Sequence, residues 1–351
     1  MRASLVTGST LHSYSVTLIP GDGVGPEITD ATLAVLEATG IDFAWDRQIA
    51  GGGAGVERRG ETLPDPAVES IRATRIALKG PLETPVGGGI RSVNVALRKE
   101  FDLYANLRPA RTIVPFRSYD NIDLVMVREN TQGLYAGVEH FVQVGDDPRA
   151  VAESLAIVTR EGCERIVRYA FDYALHHGRS KVTMVHKANI LKMVSGLFLE
   201  VGRTVAREYE GRVASEEKIV DNAAMQLVLK PEQFDVIVTT NMFGDILSDQ
   251  MAGLIGGLGL APSANIGTKA AIFEAVHGTA PDIAGKGIAN PSALILAAAM
   301  MLEHLGEQDV GLAVKDAVAR TIRDDGVRTA DLGGKAGTME FARAVAERVK
   351  G

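Results

Sequence analysis

Cysteine is nearly absent. The 351-residue chain carries one, Cys163, so no intrachain disulfide can form, and such usage fits a reducing compartment, here read as the cytoplasm. Cys163 lies in an amphipathic helical pattern, where a lone cysteine reads as packing rather than chemistry. A basic excess is also missing. Lys and Arg number 37 against 44 Asp and Glu, a formal net charge of −7, which argues against a nucleic-acid-binding surface. No run is long enough to span a membrane. The longest apolar helical pattern, about Ala293 to Leu305, falls short of the ~20 residues needed and reads as a buried core helix. Met1 to Tyr14 hold no apolar signal-peptide core and read as a polar tail before the first strand. Internal repeats and low-complexity segments are absent, and nothing in the composition points to disorder. At ~150 residues per domain the length suggests two domains, enough to bury a large core without disulfides.

Apolar, β-branched runs alternate with helical patterns through most of the chain. Strands are predicted at Ser15–Ile19, Ile76–Leu78, Leu103–Leu107, Leu124–Val127, Lys181–Val185 and Val236–Thr240. Helices are predicted at Glu27–Thr39, Val93–Glu100, Arg160–His177, Leu191–Tyr209, Met225–Lys230 and Asp245–Gly253. Alternation of this kind specifies an α/β architecture. The stretch from about Gln132 to Thr159 breaks it and reads as an inserted arm. Two glycine runs mislead. Gly21-Asp22-Gly23-Val24-Gly25-Pro26 begins like a dinucleotide-binding fingerprint, but its last position is Pro26 and no acidic residue follows at the required spacing. The run from Gly51 to Gly55 lacks a strand-loop-helix setting. A classical Rossmann fold is therefore rejected.

Charged groups gather where the predicted strands end: Arg108, Arg128, Lys187, Asp221, and Asn241 with Asp245. In open α/β sheets ligands bind outside the carboxyl ends of strands, so these positions read as one assembled site. Asp245 and Asp249 lie four apart at the start of a helical pattern and share a face. Stacked carboxylates repel unless something positive lies between them, and a hard divalent cation with oxygen ligands suits them. Asp221 could supply a third oxygen. Helix-terminal charge compensation accounts for Asp245 but not for Asp249. Ser92 is placed as an N-cap, and Asn94 and Arg98 share the face of the helix that follows. A helix start with free amides favours an anion, and Arg98, Arg108 and Arg128 can each grip a carboxylate at two points. Three arginines, a serine and an asparagine suit a small tricarboxylate. A metal could chelate a hydroxyl and its neighbouring carboxylate, Lys187 could take part in deprotonating that hydroxyl, and Tyr135 could return a proton to an enolate after carbon dioxide departs.

These motifs together resemble the metal-dependent decarboxylating β-hydroxyacid dehydrogenases, the family of isocitrate, isopropylmalate, homoisocitrate and tartrate dehydrogenases. The resemblance runs from Ile19-Pro20-Gly21-Asp22-Gly23 to Arg328-Thr329-Ala330-Asp331-Leu332-Gly333-Gly334. Its strongest signatures are Tyr104-Ala105-Asn106-Leu107-Arg108-Pro109, Asn241-Met242-Phe243-Gly244-Asp245 through Asp249, and His277-Gly278-Thr279-Ala280-Pro281. It implies a two-domain α/β protomer with a sheet in each domain. The large domain would be discontinuous, residues 1–103 and 256–351; the small one, 104–255, would carry the dimer interface and a clasp arm at about 132–159. Ser92, Asn94 and Arg98, with Thr84 in the preceding loop, look like the isocitrate branch, where serine and asparagine meet the third carboxylate. The implied reaction is the tricarboxylic acid cycle oxidation of isocitrate to 2-oxoglutarate and carbon dioxide. Homoisocitrate, isopropylmalate and a non-catalytic regulatory role are the alternatives. By the same resemblance Arg98, Arg108 and Arg128 bind carboxylates and Lys187 and Tyr135 handle protons. Asp221, Asp245 and Asp249 hold Mg2+ or Mn2+, with Lys187 and Asp221 entering from the second protomer of a homodimer. Ile19, Thr84, Glu274, His277, Gly278, Asp282, Ile283 and Asn290 would contact NAD. NADP-using relatives place lysine and tyrosine where this chain has Asp282 and Ile283.

Overall fold

The computed structural model describes residues 13–52, 63–83, 92–113 and 119–351. Twelve strands are present among them: β1 Ser13–Ile19, β2 Asp42–Arg47, β3 Ile76–Lys79, β4 Ala105–Arg111, β5 Asp123–Glu129, β6 Gly133–Val144, β7 Asp147–Ile157, β8 Lys181–His186, β9 Ala214–Ile219, β10 Val236–Thr239, β11 Pro262–Ile266 and β12 Ala271–Ala275. The α-helices are α1 Gly25–Ala38, α2 Asp65–Thr74, α3 Val93–Glu100, α4 Arg160–His176, α5 Val194–Glu208, α6 Val220–Leu229, α7 Asn241–Ile255, α8 Ser292–His304, α9 Gln308–Arg323 and α10 Thr338–Lys350.

Ten strands form one sheet in the order β2-β1-β3-β12-β11-β4-β5-β10-β8-β9. The two wings, β2-β1-β3-β12 and β5-β10-β8-β9, are parallel, and the pairings β12/β11, β11/β4 and β4/β5 between them are antiparallel. Residues before 104 and after 255 supply every strand of this order up to β11, and residues between them supply the other five. The expectation of a separate sheet in each half is corrected: the ladder is continuous. The seam between β11 and β4 is short, with Ala264, Asn265 and Ile266 opposite Leu107, Asn106 and Ala105. Two residues further along this register, Pro262 would face Pro109, and neither has an N–H to donate.

Helix α8, buried along most of its length, packs on β11 and β12, as its uniformly apolar sequence requires. No helix among the described residues is long and apolar enough to cross a membrane. Cys163 is buried in the main core and its thiol is pushed up to about 12 by desolvation, which makes it inert packing.

Several sequence expectations shift. Residues 133–157 are an antiparallel hairpin turning at Gly145-Asp146, where Gly145 takes φ 60°, with register shifts between Gly133 and Val138 and between Val142 and Val144. Its alternation is obscured because both faces are largely exposed. The helices expected to begin at Met225 and Asp245 begin at Val220 and Asn241. Arg108 and Arg128 lie inside β4 and β5 rather than beyond their ends; a buried guanidinium interrupts an apolar run without ending the ladder. The first glycine run lets the β1–α1 turn press against its neighbours. Gly23, at φ 58°, would place a Cβ 2.0 Å from the Thr279 carbonyl oxygen. Of the second run, Gly51 and Gly52 are described and the rest lie outside the described residues.

Gly80, just after β3, meets a similar limit without positive φ: a Cβ there would stand 1.9 Å from the Pro20 carbonyl oxygen. Backbone rather than a flexible side chain must then move. Gly80→Ala is therefore expected to destabilise the fold by about 2 kcal/mol or more, read as a lowered urea midpoint; an unchanged midpoint would contradict this packing.

Candidate active site

Helix α7 lies over β4 and β5 and brings its first turns onto two buried arginines. Arg128 is 1% exposed. Its Nε and Nη2 donate to Asn241 Oδ1 at 3.0 and 2.6 Å, and its Nη1 donates to Asp245 Oδ1. Arg108 donates from Nε to Asn106 Oδ1 at 2.7 Å and from Nη1 to Ser248 Oγ at 2.7 Å and Asp249 Oδ1 at 3.2 Å. Its Nη2 stands 3.5 Å from Asp245. Gly244 permits this approach, since a Cβ there would lie 2.6 Å from Arg128 Cγ. The Tyr135 hydroxyl donates to Asp245 Oδ2 at 2.6 Å, and the Arg128 guanidinium carbon sits 5.2 Å from that ring's centre.

Asp245 therefore does not act as a helix cap. Thr240 holds the N-cap position and Asp245 opens the second turn, its carboxylate spent on Arg128 and Tyr135. The two aspartates one turn apart titrate in opposite directions. Burial pushes the Asp245 carboxyl up, but Arg128, Tyr135 and Arg108 outweigh it and hold the pKa below its ordinary value. At Asp249 burial wins, with Asp245 adding repulsion, and the pKa is raised. Tyr135 is raised by burial and by its bond to Asp245, so the phenol keeps its proton at neutral pH.

Arg98, on α3, stands 3.9 Å from Glu274, and its charge is felt at Arg108 and Arg128 together. Burial and this mutual repulsion lower the pKa of both strand arginines, although guanidinium remains charged. Three guanidinium groups pressed together in this way favour an anion. Asn94 is on the same helix, and its Oδ1 is buried without a hydrogen-bond partner among the described residues. Ser92 takes the N-cap position as expected but makes no side-chain capping bond. Thr84, with the glycine loop through Arg91, lies outside the described residues.

Lys187, directly after β8, donates from Nζ to Asp221 Oδ1 at 2.6 Å, and that bond lowers the Asp221 pKa. The pair does not join Asp245 and Asp249 in this chain, where no group of three His, Cys, Asp or Glu is placed to hold a metal among the described residues. The cofactor-loop positions are mixed. Glu274 is buried on β12, and Asp282 is exposed on a short 3-10 turn whose Ile283 packs on the main core. His277 contacts the Gly278 carbonyl oxygen at 2.9 Å, and burial lowers its pKa. A Cβ at Gly278 would meet nothing within 4 Å. Asn290 is engaged structurally, donating to Asp331 and accepting from the Ser292 amide at the start of α8. Ile19 is fully buried, with its carbonyl taken by the Gly80 amide, so its side chain offers no surface to a ligand. Sequence reasoning missed Lys79, whose Nζ stands 2.6 Å from Glu274 Oε2 deep in the protein. Its position at the end of β3 was the available signal.

The isocitrate/isopropylmalate dehydrogenase family model matches residues 15–345. An isocitrate dehydrogenase crystal structure from Methylococcus capsulatus is similar, with TM-score 0.93 and 58% identity, over 96% of this chain and 100% of that one. A mitochondrial NAD isocitrate dehydrogenase regulatory subunit of Dictyostelium discoideum is 46% identical over 99% of this chain and 98% of its own length. An NADP isocitrate dehydrogenase of Thermus thermophilus is 48% identical over 98% of this chain and 70% of its own length.

The Glu274–Lys79 pair yields a test by itself. Burial raises the Glu274 carboxyl, but Lys79, Arg98 and Asn265 overcome this and hold it at about 2, below its ordinary 4.5. A depressed acid adds stability that is complete above the unfolded pKa and disappears as pH falls through the folded one. Glu274→Gln strands a buried ammonium and should cost roughly 3–5 kcal/mol at pH 7. Denaturant titrations should show that difference shrinking as pH falls from about 4.5 towards 2; a pH-independent difference would refute the assignment.

Proposed function

The chain belongs to the isocitrate/isopropylmalate dehydrogenase family, and from that premise we propose that it oxidises and decarboxylates isocitrate to 2-oxoglutarate and carbon dioxide while reducing NAD. The observation that carries this reading is the electrostatic coupling of Arg98, Arg108 and Arg128, with Asn94 on the Arg98 helix, where its amide nitrogen could donate to a carboxylate. Three cations and a polar amide suit a tricarboxylate, whereas an apolar branch in place of the third carboxylate would leave these groups uncompensated.

Asp245 and Asp249 are the residues that would hold Mg2+ or Mn2+, since a hard cation would offset the burial, and the lesser repulsion from Asp245, that raise Asp249. Bound there, it would supply Lewis acidity towards the substrate hydroxyl and the ketone that follows. The arginines hold the carboxylates. Lys187, acting as the neutral amine that donates an N–H to Asp221, takes the hydroxyl proton on its lone pair as hydride leaves the carbinol carbon for NAD. Cleavage of the C–C bond then releases carbon dioxide, and Tyr135, kept protonated by its surroundings, delivers a proton to the enolate carbon.

Because the Lys187–Asp221 pair stands apart from the two helix aspartates, these residues serve the site of a second copy in a homodimer. Exposed apolar side chains on the hairpin and around Ile190, Met193 and Ile246 support that association, as does the marginal stability of an isolated two-stranded hairpin. One cysteine, buried, accords with the cytoplasm as the compartment. NAD rather than NADP follows from Asp282, whose carboxylate would accept from ribose hydroxyls and repel a 2′-phosphate. The regulatory role of the Dictyostelium relative is less suited to a chain that holds Tyr135, Lys187 and all three aspartates.

Initial rates with isocitrate, isopropylmalate and homoisocitrate, each with NAD and NADP and with the divalent cation removed by chelation, should give highest kcat/KM for isocitrate with NAD and loss of turnover on chelation. Equal or better use of isopropylmalate, or of NADP, would overturn the corresponding part. Lys187→Met should lower kcat by at least ~10²-fold. Mixing it with inactive Asp245→Asn should restore activity through hybrid dimers; none despite verified exchange of protomers would rule out a shared site.

A further inference from the structure

Four buried side chains cross the seam between the two halves of the sheet in an unbroken hydrogen-bonded line. Arg108 Nε donates to Asn106 Oδ1 at 2.7 Å, Asn106 Nδ2 donates to Asn265 Oδ1 at 3.0 Å, and Asn265 Nδ2 donates to Glu274 Oε1 at 2.7 Å. Asn106 and Asn265 are 0% and 2% exposed and directly opposite each other in the β4/β11 register. Ser263 accepts a second bond from Asn106 at 2.7 Å, and Asn130 donates a second bond to Asn265 Oδ1 at 2.9 Å, so both amides are braced from the side.

The direction of the line is fixed by its ends. A guanidinium can only donate and a carboxylate can only accept. Each amide must therefore turn its oxygen towards Arg108 and its nitrogen towards Glu274, and flipping either one would oppose donor to donor and acceptor to acceptor. Both amide dipoles point along the field between cation and anion, where bonds in series strengthen one another. Glu274 in turn holds Lys79 and Arg98. At this short seam the line links Arg108, which the reading above gives to the substrate, to Glu274, which the family resemblance assigns to NAD.

Resting on the reading of the site given above, we propose that Asn106 and Asn265 are positioning residues, a polarised amide relay that sets the Arg108 guanidinium and the Glu274 carboxylate relative to each other and so aligns the tricarboxylate with NAD. Neither asparagine has surface to offer a ligand. On that reading each asparagine acts on both ligands, because the two ends of the relay are assigned to different ones.

The test is a double-mutant cycle on the full-length protein. Asn106→Ala and Asn265→Ala are each expected to raise KM for isocitrate and for NAD, about tenfold for the loss of a charge-assisted bond. The double variant should be little worse than either single one, because a line is broken equally by one gap or two. Melting temperatures identify folded variants. If an alanine variant does not fold, Asn106→Asp or Asn265→Asp, which keeps the volume and removes the donor, takes its place with the same expectation. Folded variants with wild-type KM for either ligand, or with effects that multiply in the double variant, would overturn the relay. Failure of the wild-type protein to oxidise isocitrate would instead overturn the functional reading, so the two failures are distinguishable.

Discussion

Arg128 is a nearly full-length cation buried in the middle of a β-sheet, and the surrounding structure answers to it. An unpaired charge in that position would cost several kcal/mol, so partners must arrive from outside the strand. They come from the first two turns of α7, as Asn241 and Asp245. That requirement sets where α7 docks, and the docking in turn requires Gly244 at the closest approach. Once α7 is seated, Ser248 and Asp249 fall on Arg108, and Tyr135 reaches Asp245 from the start of the hairpin. The site is in this sense a consequence of neutralising two arginines that β4 and β5 place on one face of the sheet, diagonally across the pair.

The neutralisation is uneven in its distribution. Asp245 is shared among Arg128, Tyr135 and Arg108 and is held firmly ionised, whereas Asp249 has one partner and a raised pKa. Arg98 adds a third positive charge whose paired carboxylate, Glu274, already serves Lys79. Positive charge is thus concentrated locally on a chain whose net charge is −7.

Much of this was legible in one dimension. The strand–helix alternation pointed to the architecture, and the spacing of Asp245 and Asp249 placed both on one helix face, which the structure bears out. The proline ending the first glycine run correctly argued against a classical dinucleotide fold. Less legible were β2, β9, β11 and β12. Strand β2 and strand β9 lie at the sheet edges and are polar along much of their length, so they carry little apolar periodicity. Strands β11 and β12 carry buried Ser263, Asn265 and Glu274 among apolar residues, and a buried polar residue in a strand looks, without its partner, like a residue of a loop.

Local pattern determined the elements, the family signatures and the identity of the charged residues, because side-chain period and turn chemistry are properties of neighbours in the chain. Which of those charges meet was decided only by tertiary structure. Asn106 and Asn265 are separated by 159 positions, and Arg128 and Asp245 by 117. No local periodicity relates residues so far apart; the pairing exists because sheet order places β11 beside β4 and because a buried cation admits only certain partners.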